Sequence, residues 1–191
     1  MRGLRQLSRT TVSKPLWLSS NQAPCSRPLA QSRSAGGEPI GLIDPALFNA
    51  RGLALRQTGP GRWRLLAVNH GGREAIEVFD VLAPEGREPS LTWRGCLPLP
   101  PGQVGNSVAS FADGTVLVTV LTRPGTTIAD FVQGRNTGAV WSWSPGAAGF
   151  VELPGTQLPG NNGLEVDPDG RRFYVVAFGW HAVVAYDRRD T

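Results

Sequence analysis

Residues 162–174 read NGLEVDPDGRRFY, and this stretch decides the predicted fold. A strand-like start, Asn162 to Val166, leads into Asp167-Pro168-Asp169-Gly170. Asp-Gly is a strong signal for a tight turn, because both residues tolerate positive φ. The β-branched and aromatic run from Phe173 to Phe178 comes directly after the turn. The stretch therefore predicts two antiparallel strands joined by a tight turn.

The same pattern occurs twice more, upstream in the chain. Asn162 aligns with Asn106 and Arg51, so the repeats are offset by 55 and 56 residues. Each repeat continues through a Gly-containing turn into a second apolar strand and then a third alternating strand. The second strands are predicted at 65–70, 116–121 and 173–178, the third at 76–80, 139–143 and 182–187, and candidate fourth strands at 91–94 and 150–153.

A unit of three or four short strands in about 55 residues has the size of one β-propeller blade. The continuous apolar second strands fit sheets that neighbouring blades cover on both faces. We therefore predict an all-β fold, a partial β-propeller of about three blades over residues 39–191. Open blade faces and strand edges would then favour self-association. The alternative is a β-sandwich in which the repeat is a coincidence of turn chemistry.

Composition separates a leader from the domain. The 191 residues carry a net charge of +4, but six of the 19 basic residues lie in residues 1–37, which hold no acidic residue. We predict a basic leader over residues 1–38, which is a transit peptide, a disordered segment or spurious upstream sequence. The remaining 13 basic and 15 acidic residues give no basic face, so no nucleic-acid partner is expected.

Hydropathy and cysteine content further limit the classes of protein to which the chain can belong. No stretch approaches the roughly 18 apolar residues of a membrane helix, so no membrane partner is expected. The sequence leaves the compartment open, with a soluble, cytoplasmic location favoured. Cys25 and Cys96 are too few for a disulfide framework, and both are expected to be free thiols.

The residues quoted above resemble a known family. The 162–174 stretch resembles the strand–turn–strand of the SMP-30/gluconolactonase family, whose six-bladed propeller is shared with the paraoxonases and the strictosidine synthase-like proteins. The run 65–70, followed by 76–79, resembles the paraoxonase segment that carries its active-site histidine. Asn106-Ser107-Val108 is similar to the other asparagine that starts a blade in this family. The resemblance covers residues 39–191.

This resemblance implies a calcium-dependent hydrolase of small-molecule lactones or esters. Calcium prefers six to eight oxygen ligands, and by resemblance Asn106 and Asn162 are two of them. The metal would polarise the substrate carbonyl. His70 would help to activate water, as paraoxonases imply, because a histidine can titrate near neutrality. In the alternative interpretation these residues have only a structural role. Each asparagine stabilises the turn in which it lies, and His70 is a residue at the edge of the loop, before Gly71-Gly72.

The chain also departs from the family. Ser107 stands where the family usually has aspartate, Arg51 occupies the repeat position of the two asparagines, and carboxylate ligands are not identifiable. A cation at Arg51 would bind a carboxylate-bearing substrate or oppose metal binding. The alternative function is therefore a non-catalytic propeller module that binds a ligand, or an inactive fragment.

Overall fold

The computed structural model describes residues 46–188. The leader predicted over 1–38 lies outside these residues. Eleven strands and one short α-helix, α1, occupy the described range, with a 3-10 turn at Phe178–Trp180. The strands are β1 Ala50–Gly59, β2 Arg62–Asn69, β3 Ala75–Leu82, β4 Ser90–Pro98, β5 Gly105–Ser110, β6 Val116–Val120, β7 Ala139–Trp143, β8 Val151–Glu152, β9 Asn161–Val166, β10 Arg172–Ala177 and β11 Ala182–Asp187. The helix α1 spans Ile128–Val132.

The strands form three antiparallel sheets in which each strand pairs with the next one along the chain. Sheet 1 contains β1 to β4, sheet 2 contains β5 to β8, and sheet 3 contains β9 to β11. The prediction of an all-β class is confirmed, and each predicted strand falls on an observed one. Within residues 46–188 there are three sheets rather than the two of a sandwich.

The turns form where the sequence predicts them. Between β9 and β10, Gly170 has a φ of 73°, a left-handed conformation that glycine adopts at little cost. The carboxylate of Asp167 accepts a hydrogen bond from the Arg172 backbone N–H at 3.0 Å. Between β5 and β6, Asp113 accepts one from the Thr115 N–H at 2.9 Å. Aspartate and glycine together therefore close both hairpins.

Two apolar clusters hold the three sheets together, one on each face of sheet 2. Every residue of β6 is buried; Val116 and Val118 belong to one cluster, and Leu117 between them belongs to the other. Fully burying a valine or leucine side chain contributes about 1.5–3 kcal/mol. The first cluster includes Leu66, Val68, Ile76, Val78, Val108, Val116, Val118 and Trp143. The second includes Phe111, Leu117, Val140, Leu164, Val166, Phe173 and Val175.

The first strand of each sheet carries the same one-residue bulge. In β1 the register shifts between Ala50 and Leu53, in β5 between Gly105 and Val108, and in β9 between Asn161 and Leu164. The first strands also lie beside one another. A Cβ added to Gly52 would lie 2.5 Å from the carbonyl oxygen of Asn106. The repeat read from the sequence is therefore also a repeat of backbone geometry, with Arg51, Asn106 and Asn162 as the residues that open each bulge.

Two findings go beyond the sequence predictions or differ from them. The helix α1 was not predicted, although Thr127 and Asp130 form a capping box at its start. Cys96 is disulfide-bonded, so the prediction of a free thiol there is wrong, and Cys25 lies outside the described residues. Among residues 46–188, no helix has the length and apolar character needed to cross a membrane.

Candidate functional site

The two predicted metal ligands, Asn106 and Asn162, open the bulges of β5 and β9. Both residues are partly buried. Within residues 46–188, neither side chain makes a hydrogen bond. A bulge redirects a side chain and interrupts regular pairing, and it is often found next to functional sites. The two amide groups are therefore available to a ligand.

Thr119 connects the backbones of these two bulges. Its hydroxyl accepts a hydrogen bond from the Ser107 N–H at 3.0 Å and donates one to the carbonyl oxygen of Asn162 at 2.6 Å. Thr119 has no exposed surface. The structure thus brings the two asparagine positions together across the boundary between sheets 2 and 3.

The neighbouring Asn161 has a different role. It has no exposed surface, and its Oδ1 accepts a hydrogen bond from the Leu158 N–H at 3.1 Å. Its Nδ2 donates to the carbonyl oxygen of Thr156 at 2.8 Å. Asn161 therefore holds the loop that precedes β9, and its amide group is already occupied.

Arg51 is the third member of the repeated position. It is exposed and forms no ion pair with any residue between 46 and 188. Its guanidinium group therefore adds an uncompensated positive charge where the other two repeats have a neutral amide.

The proposed catalytic residue, His70, follows β2 directly. Its backbone N–H donates to the carbonyl oxygen of Asn49 at 3.1 Å. Its Nδ1 lies 2.8 Å from Oε2 of Glu74 and 3.0 Å from Oε1, and its side chain is 15% exposed. An ionised carboxylate can only accept, so a neutral imidazole in this pair carries its proton on Nδ1. Its Nε2 is then free to accept a proton.

Glu74 was not singled out from the sequence. Its spacing of four residues from His70 is not informative by itself, because Gly71 and Gly72 form a loop between them. Gly72 has a φ of 73°, and this left-handed residue helps to turn the chain back toward His70. The contact between His70 and Glu74 therefore results from this turn.

A buried polar network supports the loop that carries His70. Glu77 has no exposed surface and accepts two hydrogen bonds from Arg73, at 2.8 and 3.0 Å. It also accepts one from Trp93 Nε1 at 2.8 Å and one from Asn69 Nδ2 at 3.2 Å. The Asn69 side chain in turn accepts a hydrogen bond from the Gly71 N–H and donates one to the Gly71 carbonyl oxygen. The carboxylate is thus fully paired, as a buried charge requires, and it fixes both ends of the loop.

His70 and the asparagines lie at one end of the sheets, without a direct hydrogen bond in the described part of the chain. Asn69 pairs with Ala50 in the register of sheet 1, so His70 lies at the end where β1 begins. Asn106 and Asn162 lie near the starts of β5 and β9. Among residues 46–188, no hydrogen bond joins His70 to either asparagine.

The described residues do not by themselves fit a calcium site. Residues 46–188 contain no group of three or more His, Cys, Asp or Glu side chains that could hold a metal ion. Asn106 and Asn162 offer two neutral oxygens, whereas calcium takes six to eight oxygens and binds more tightly as carboxylates are added. Arg51 would oppose a cation. Any complete site would need ligands from outside residues 46–188.

Comparison of the chain with models of known protein families and with characterised proteins finds no match. The family resemblance therefore stays a prediction that depends on the residues quoted above.

Proposed function

We propose that this chain forms about three blades of a six-bladed β-propeller and belongs to a calcium-dependent hydrolase of lactones or esters. The three successive sheets, with their first strands side by side, support the propeller. In such a ring the first strands would line the central channel. Arg51, Asn106 and Asn162 would then face one end of the channel.

The His70–Glu74 pair is the observation that carries the hydrolase proposal. The Nδ1–Oε2 distance of 2.8 Å gives the arrangement of a general base and the carboxylate that orients it. A water molecule beside Nε2 would give its proton to the ring while its oxygen attacks the substrate carbonyl carbon, and the π electrons of the carbonyl would move to the carbonyl oxygen. Collapse of this tetrahedral intermediate would break the acyl C–O bond, and the leaving alkoxide would take the proton from Nε2. Glu74 would stabilise the imidazolium that forms.

Two measurements on the full chain test this proposal. The first is a calorimetric calcium titration of the wild type, N106A and N162A, with N136A as the matched control because Asn136 is exposed. We expect saturable binding that both ligand variants lose and N136A retains. A folded chain that binds no calcium would contradict the metal-dependent proposal.

The second measurement is hydrolysis of a γ-lactone and of phenyl acetate. We expect H70Q to lower kcat by about 10²- to 10⁴-fold, the usual contribution of a general base. H181N is the control, because His181 is exposed and has a φ of 51° that asparagine tolerates. E74Q should lower kcat less than H70Q and should change the pH profile. Equal activity in H70Q and the wild type would exclude His70 as the base.

A second candidate is a non-catalytic module that binds an anionic ligand at the same end. Arg51 favours this alternative, because it is exposed and has no ion pair with residues 46–188, and a guanidinium readily binds a carboxylate. It predicts calcium-independent binding of a small carboxylate, loss of that binding in R51Q, and no turnover.

A further inference from the structure

A cavity of about 460 Å³ lies between sheets 1 and 2, away from His70 and the asparagines. Three arginines and one aspartate line it, together with an apolar wall. The charged residues are Arg56, Arg64, Asp80 and Arg94, and the wall includes Val78, Val116 and Trp143. The volume lies in the range of small-molecule sites.

Three of the charged residues form a row across sheet 1. Arg56 of β1 pairs with Arg64 of β2, and Arg64 pairs with Asp80 of β3. Residues two positions away on the same strands, Leu66 and Val78, belong to the apolar cluster shared with sheet 2. The row therefore continues the buried face of sheet 1 toward the far end of its strands.

Arg94 reaches the row through a bulge in β4. Val78 pairs with Gly95 and Phe79 with Trp93, so Arg94 is the extra residue of the bulge. Its Nε lies 2.5 Å from Oδ2 of Asp80. The Nε of Arg64 lies 2.9 Å from the other carboxylate oxygen. One aspartate thus binds two arginines.

The arginines retain most of their hydrogen-bonding capacity. Arg56 donates from Nε to the carbonyl oxygen of Ser110 at 2.8 Å. Like Arg64 and Arg94, it uses only Nε, so the terminal nitrogens of all three make no hydrogen bond within residues 46–188. A guanidinium group can present two parallel N–H donors to an oxyanion. The cavity therefore contains several donors aimed at no protein acceptor in the described range.

The charges in the cavity do not balance. Although burial favours the neutral form of Asp80, hydrogen bonds and charges from Arg94 and Arg64 lower its pKa overall. Three guanidinium groups and one carboxylate leave an excess charge of +2. Like charges directly opposite each other on neighbouring strands, as in Arg56 and Arg64, are destabilising. An anion would relieve this repulsion.

We propose that this cavity binds a small molecule that carries a phosphate monoester and a short apolar group. A phosphate monoester has a charge close to −2 at neutral pH, which matches the excess, whereas a single carboxylate leaves one positive charge uncompensated. The apolar wall would contact the rest of the ligand. This site lies at the opposite end of the strands from the proposed hydrolytic site.

Calorimetric titration of phenyl phosphate into the full chain tests the proposal, with inorganic phosphate and phenylacetate as comparison probes. We expect phenyl phosphate to bind at least about tenfold more tightly than either probe, because only it offers both a dianion and an apolar group. Binding of phenylacetate with equal affinity would overturn the assignment to phosphate monoesters.

Variants then locate the binding. R94Q should weaken phenyl phosphate binding by about tenfold or more, and D80N should strengthen it by removing the one negative charge. R56Q should also weaken binding, but Arg56 holds Ser110 of β5, so loss of folding would give the same result. R94Q is decisive because the Arg94 side chain is 51% exposed.

R172Q is the matched control. Arg172 pairs across two strands with Asp187 at 2.8 Å, as Arg64 does with Asp80, but it does not line the cavity. We expect wild-type affinity in R172Q. No saturable binding to the folded chain, unchanged affinity in R94Q, or an equal loss in R172Q would each overturn the proposal.

Discussion

The hydroxyl of Thr119 donates a hydrogen bond to the carbonyl oxygen of Asn162 at 2.6 Å, across the boundary between two sheets. The Oγ1 atom of Thr119 also accepts a hydrogen bond from the Ser107 N–H at 3.0 Å. One buried hydroxyl therefore fixes the relative position of the bulges that present Asn106 and Asn162. Any ligand that binds both asparagines depends on this contact.

Replacement of Thr119 by valine should destabilise the chain by about 1–3 kcal/mol, because the Ser107 N–H and the Asn162 carbonyl lose a buried partner. Urea unfolding followed by tryptophan fluorescence measures this change. T119S is the control: it keeps the hydroxyl and loses one methyl group, at a cost of about 1 kcal/mol. If T119V proves as stable as the wild type, the hydrogen bonds contribute nothing measurable.

Replacement of Glu77 tests how much its buried hydrogen bonds stabilise the loop that carries His70. E77Q keeps the shape of the side chain but removes the negative charge from a site with no exposed surface. Arg73, which is 20% exposed, then loses its ionic partner. We expect a loss of about 3–5 kcal/mol, as found when one partner of a buried pair is removed. The same unfolding experiment measures the loss.

D187N provides the comparison for E77Q. Its ion pair with Arg172 has a similar distance of 2.8 Å, but the side chains are 57% and 78% exposed. Exposed pairs contribute about 0–1 kcal/mol, so D187N should be close to wild type. Similar losses in the two variants would show that burial does not govern the contribution of Glu77.

The strands could be predicted from the sequence because their signals are local. The Asp-Gly turns at 113–114 and 169–170 and the apolar runs beside them fix the hairpins within a few residues. The repeat at 55 and 56 residues also predicts that Arg51, Asn106 and Asn162 occupy equivalent positions, and the bulge that they share confirms this. Closure into a ring has no such local signal and stays a prediction.

The sequence does not predict in the same way which charged side chains lie together, because this depends on the register in which the strands pair. Arg56, Arg64 and Asp80 meet only when three strands pair in the observed alignment, and Arg94 joins them only through a bulge. Glu74 reaches His70 only because a glycine loop reverses the chain. A one-residue slip in β2 would move Arg64 to the other face of sheet 1.

Gly52 lies where β1 of sheet 1 closely approaches β5 of sheet 2. In G52A the new Cβ would lie 2.5 Å from the Asn106 carbonyl oxygen and 2.7 Å from the Ser107 Cα. Both atoms belong to the backbone, so the strands must separate, and overpacking of this kind costs about 1–3 kcal/mol. We expect a lower free energy of unfolding and weaker binding of any ligand at Asn106. G59A is the control at the other end of β1, where a Cβ meets nothing within 4 Å; a wild-type G52A would contradict this packing.

The acid stability of the chain should depend on Asp80. Its pKa is lowered from the ordinary 3.8, so the ionised form is favoured in the folded state. The stability that Asp80 contributes is therefore present above that value and is lost as the pH falls through the folded pKa. We expect the free energy of unfolding to decrease below about pH 4. D80N should show a shallower decrease, together with lower stability at pH 7, because Arg64 and Arg94 then lack their shared anion.

The measurement is urea unfolding at successive pH values in glycine buffer without phosphate. Parallel curves for the wild type and D80N would mean that the arginines do not lower the pKa of Asp80 in the folded chain.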